Sequence, residues 1–102
     1  MEHAARTDRE VIRGALNIAD DIRDQLVKRG RRREDITLAW FPDPNLVPTT
    51  EAPELKAILS DTTSVRQMFS REELAVSSRS LDRDSVVAKI NLVVESLHAG
   101  LP

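Results

Sequence analysis

Apolar residues recur at three- and four-residue steps through the first third of the chain, at Ile12, Ala15, Ala19, Ile22 and Leu26. At about 100° per residue they join Val11, Leu16, Ile18 and Val27 in an arc of roughly 180°. Asp20, Asp21, Asp24 and Lys28 take the opposite side. Thr7 and Glu10 have capping-box spacing, and Gly30 stands where a helix would end. The pattern predicts a helix over 7–29 after a flexible start at 1–6. Such an arc is wider than one neighbouring helix covers, so this helix is expected to be sandwiched, either within its own chain or against a second copy. Arg23 falls inside the arc, either snorkelling at its edge or paired at an interface.

A change of period follows. Ile36-Thr37-Leu38-Ala39-Trp40-Phe41 alternates and is rich in strand formers, and Pro42-Asp43-Pro44-Asn45 ends it. No second run of this kind is evident, and a lone strand cannot satisfy its own backbone. Residues 34–50 are therefore expected to form an extended, Pro-rich linker. It would hold one short strand, lying as an arm over helices or pairing with its counterpart in a second copy. Residues 51–99 read as helical. Thr50 would cap a helix with Pro53 in its first turn, carrying Leu55, Ile58 and Leu59, and Ser64 would open a turn holding Val65, Met68 and Phe69. Ser70 and Glu73 form a capping box, with Phe69 and Leu74 placed as its hydrophobic staple. A last helix from Arg83 to His98 gathers Val86, Val87, Ile90, Val93, Val94 and Leu97 within roughly 120°, with Leu92 on its other side and Gly100 to end it. The expected fold is all-α or nearly so: one helical domain over 1–102, with a long helix at each end.

Composition narrows the class. A length of 102 residues suits one domain. Aromatics are only 3%, so the core must be built from Leu, Ile, Val and Ala. The absence of cysteine excludes disulfides, thiolate zinc sites and thiol catalysis. No run approaches the ~20 apolar residues of a membrane span, and the first residues lack the apolar stretch of a signal peptide. No membrane association and a cytoplasmic location are expected.

Little in the chain carries chemistry. His3 and His98 are far apart, and no His/acid cluster has ligand spacing. The three glycines are isolated, and no serine sits in an elbow motif. The expectation is a non-enzyme with no catalytic residue, cofactor or metal. A small binding protein remains, such as a regulator, adaptor or accessory subunit. It would act through protein–protein contacts at Ile18, Ile22, Arg23, Trp40, Phe41 and Leu92, as a homodimer. The alternative is a DNA-binding regulator that uses residues 71–91 as a helix-turn-helix. Asp82 and Asp84 at the head of its second helix weigh against that, because carboxylates there would face phosphates. The run Lys28 to Arg33 offers a polyanion contact at Arg29, Arg31, Arg32 and Arg33. Read more plainly, it is a set of cations at a helix C-terminus. Nucleic acid is thus a partner the sequence allows but does not favour.

Overall fold

The computed structural model describes residues 2–41, 54–59 and 63–99, with side chains from Arg9 onward. Helix α1 spans Glu2–Lys28, five residues ahead of the expected start, which places Thr7 within the helix rather than at its cap. Its inner side consists of Val11, Ala15, Ile18, Ile22 and Leu26, all buried. The end is set at Gly30, whose φ of 92° is left-handed. There the amide of Arg31 donates to the Leu26 carbonyl and that of Gly30 to Val27, both at 3.0 Å. These paired bonds form a Schellman closure that satisfies carbonyls the helix leaves open.

A 3₁₀ turn at Arg33–Asp35 leads into β1 (Ile36–Phe41), followed by β2 (Glu54–Leu59) and β3 (Thr63–Met68). The three form one antiparallel sheet in the order β1-β2-β3. This corrects the all-α expectation: the fold is α+β. The strand at 36–41 pairs within its own chain, from Ile36 opposite Leu59 to Phe41 opposite Glu54. Its ladder is formed with β2, along one edge, rather than with a partner subunit. The segments carrying Leu55, Ile58 and Val65, expected to be helical, are β2 and β3. The connection 42–50, the cap at Thr50 with Pro53, and Gly100 lie outside the described residues.

One face of the sheet is buried. Ile36, Leu38 and Trp40 of β1 share it with Leu55, Ala57 and Leu59 of β2 and Thr63, Val65 and Gln67 of β3. Helices α1 and α3 (Asp84–Ala99) contact the strands and close the core with Val86, Ile90, Val93, Val94 and Leu97. Between β3 and α3, the short α2 (Arg71–Ser77) lies against α1. That approach is close. A Cβ added at Gly14 would fall 1.6 Å from the Leu74 carbonyl oxygen, so only glycine fits there. One turn further on, Asn17 donates from Nδ2 to the Ser77 carbonyl at 2.9 Å, satisfying an end of α2.

The capping box forms as the sequence indicates. The Glu73 amide donates to Ser70 Oγ at 3.0 Å, and the Ser70 amide donates to Glu73 Oε1 at 2.8 Å. Phe69 and Leu74 are both fully buried in the same core. Glu73 also accepts from Lys89 Nζ at 2.6 Å, which ties α2 to α3. The same ammonium lies 5.4 Å from the centre of the Phe69 ring, within cation–π range.

Candidate binding surfaces

Strand alternation decides what the aromatic pair does. Trp40 points inward and meets Phe69 edge-on, with ring centres 5.5 Å apart and planes at 63°. It packs, partly buried, against the protein's own core, and its Nε1 is buried without a hydrogen-bond partner among the described residues. Phe41 points the other way and is 57% exposed. Of the two residues singled out as one anchor, Phe41 is exposed and Trp40 is half-buried against the core.

The first helix is corrected in the same manner. Ile18 and Ile22 are fully buried; they form the centre of the inner face rather than a surplus arc. What remains outside is a stripe a third of a turn away. Leu16 and Val27 are exposed there, with Ile12, Ala19 and Arg23 half-buried beside them. Arg23 reaches Asp20 at 3.5 Å on the same helix. A shallow hollow lined by Arg9, Ile12, Arg13, Leu16, Asn17 and Asp20 sits on this side. Leu92 is 58% exposed on α3, as expected of a residue opposite the apolar face.

The basic run divides into clasp and surface. Arg29 forms an ion pair with Glu95 on α3. The hydrogen bond between them holds the Glu95 carboxyl below its ordinary range and raises Arg29. Arg31 donates to the His98 carbonyl at 2.8 Å, capping the end of α3. Arg32 and Arg33 are exposed, and no ion pair engages them among the described residues. The four arginines therefore do not form one polyanion surface.

Around the 71–91 unit the cations are occupied. Arg83 donates to Glu72 at 2.9 Å, and Lys89 is held by Glu73. For Glu73, burial raises the pKa, but hydrogen bonds from Lys89, the Ser70 backbone and Ser85, with the Lys89 charge, outweigh it and bring the value down to about 2. The exposed side of α3 presents Asp84, Ser85, Val87, Ala88, Asn91, Leu92 and Glu95. No member of that row is a cation.

The surface that the sequence concealed is the outer face of the sheet. Three cross-strand rows build it: Phe41–Glu54–Met68, Ala39–Lys56–Arg66 and Thr37–Ile58–Ser64. Phe41 and Met68 are both more than half exposed. Lys56 and Arg66 stand directly opposite one another, and no ion pair engages either among the described residues. Like charges facing each other across a ladder destabilise it, so this row gains from any anion laid over it. The alternation of 54–59 and 63–68 was the available signal.

Among the described residues no group of three His, Cys, Asp or Glu could hold a metal ion. No helix is long and apolar enough to cross a membrane. No family model, curated protein or solved structure matches the chain.

Proposed function

We propose that this chain is a non-catalytic, cytoplasmic binding protein that acts through protein–protein contacts as a homodimer. Its partner surface is the outer face of the sheet. The observation that carries the reading is that exposed Phe41 and Met68 share one face with a Lys56–Arg66 row that no ion pair engages among the described residues. Aromatic residues, methionine and arginine are the side chains enriched at protein interfaces. Charge selects the chemistry of the partner: an apolar segment bearing carboxylates, because on this face two cations, Lys56 and Arg66, stand against the single carboxylate of Glu54.

A photo-reactive side chain placed at Phe41 tests this in the native host. A discrete protein adduct is expected from position 41, lost on Lys56→Glu and absent when the probe stands at Asp84. Adducts of no defined size from both positions would overturn the reading. The helix-turn-helix alternative gains nothing from the exposed side of α3. Its own test is a mixed-sequence duplex titrated at low and physiological salt, where phosphate contacts would fall steeply with salt. We expect no such complex.

A further inference from the structure

The outer stripe of α1 carries charge in a pattern that fits itself. At helical pitch Arg9, Arg13, Leu16, Asp20 and Asp24 lie within about 80° of one another, and all five are exposed. Arg9 and Arg13 make no ion pair among the described residues. The intervals Arg13 to Asp20 and Arg9 to Asp24 share one midpoint, between Leu16 and Asn17. A two-fold axis through that point therefore sets both arginines of one copy against both aspartates of the other.

We infer that α1 pairs with the α1 of a second copy, antiparallel, about a two-fold axis between Leu16 and Asn17. In this arrangement Arg13 meets Asp20 of the second copy, Arg9 meets Asp24, and each ion pair occurs twice by symmetry. Leu16 lies beside the axis and enters the hollow lined by Ile12, Arg13 and Asn17 of its mate. A two-fold pair is self-complementary by construction, which an isolated stripe of this kind requires. Parallel pairing would set Arg9 against Arg9, Arg13 against Arg13 and Asp20 against Asp20. An axis nearer the helix end, at Asp21 and Ile22, would bring Leu16 against Val27 and Asp20 against Arg23. It would also leave Arg13 opposite Gly30, with no acid. The pairing rests on the homodimer named above but uses a different surface from the sheet face.

The chain has no cysteine, so single cysteines report the axis without background. Light scattering on the intact chain should show twice the 11.4 kDa monomer mass, falling on dilution and at high salt. Under mild oxidation Leu16→Cys should link to itself, whereas Arg9→Cys and Val27→Cys should not. Arg9→Cys mixed with Asp24→Cys should give a crosslinked hetero-pair. Arg13→Asp should weaken association at least tenfold with unchanged circular dichroism, and adding Asp20→Arg to the same chain should restore it. A monomer at every concentration overturns the inference. So does a dimer indifferent to Arg13→Asp, or self-linking at Arg23→Cys in place of Leu16→Cys. With a monomeric chain, crosslinking from position 41 would still test the contact function separately, because the two surfaces do not overlap.

Discussion

Glu73 joins two helices through a single carboxylate. It closes the capping box, receives Lys89 and stays nearly inaccessible. Its pKa of about 2 in the fold lies below the ordinary 4.5. A depressed carboxylate stabilises the fold fully above its unfolded pKa, and that stabilisation is lost as pH falls through the folded value. The window therefore runs from pH 4.5 down to 2, and one pKa unit corresponds to about 1.4 kcal/mol, giving a contribution of about 3 kcal/mol. Thermal melts across that window should show a steep loss of Tm that Glu73→Gln flattens. An equal slope in the variant would assign acid sensitivity to other carboxylates.

Gly14 and Trp40 give two further residue-scale outcomes. Gly14→Ala would drive a methyl into the Leu74 carbonyl, and backbone on both sides cannot yield cheaply. Urea unfolding should show a loss of at least about 2 kcal/mol, in the overpacking range. The aromatic neighbours should separate in the same assay. Trp40→Ala removes a ring packed against the core and should cost about 3 kcal/mol, whereas Phe41→Ala should stay within about 0.5 kcal/mol. Near-equal costs would mean that the two faces of β1 are not distinguished as the burial pattern has them.

At the scale of elements, legibility followed length and local signals. Helices α1 and α3 were readable because a three/four-step apolar pattern persists over several turns, and the Ser70–Glu73 box because its chemistry is local. Strand β2 was not. Glu54, Leu55, Lys56, Ala57, Ile58 and Leu59 are mostly good helix formers, and six residues fit both a helical turn and an alternating strand. Pairing with β1 and β3 decides between them, and that information lies elsewhere in the chain. Since the proposed binding face crosses all three strands, missing β2 and β3 hid all of it except the outward side of β1, with Phe41. The row Lys56–Arg66 allows an element-scale check. Lys56→Glu turns a repulsive cross-strand pair into an attractive one and should stabilise the sheet by about 0.2–1 kcal/mol, read as a rise in Tm. No change would show that the two side chains already splay apart.

At the scale of the whole molecule, α1 is the spine. The protein measures 44 × 25 × 20 Å, and a helix of 27 residues runs about 40 Å. That geometry explains why the width of the apolar arc was legible while its use was not. Most of the arc is taken by α2, α3 and the sheet, and only the Ile12–Leu16–Val27 edge is left over. Periodicity gives the angle an arc subtends but not which part of it the rest of the chain reaches first.

The partners that anchor the spine are distant in sequence: Asn17 bonds to Ser77 60 residues on, and Arg31 to His98 67 residues on. During translation, at about 5–20 residues per second, α1 is finished roughly 4–14 s before α3 is complete. During that interval the sheet and α2 become available to cover part of its apolar side, while the part that α3 takes stays open. Closure of the core therefore waits for α3, and a nascent chain stopped before Asp84 keeps part of the apolar side of α1 open to water, a natural client for chaperones and proteases.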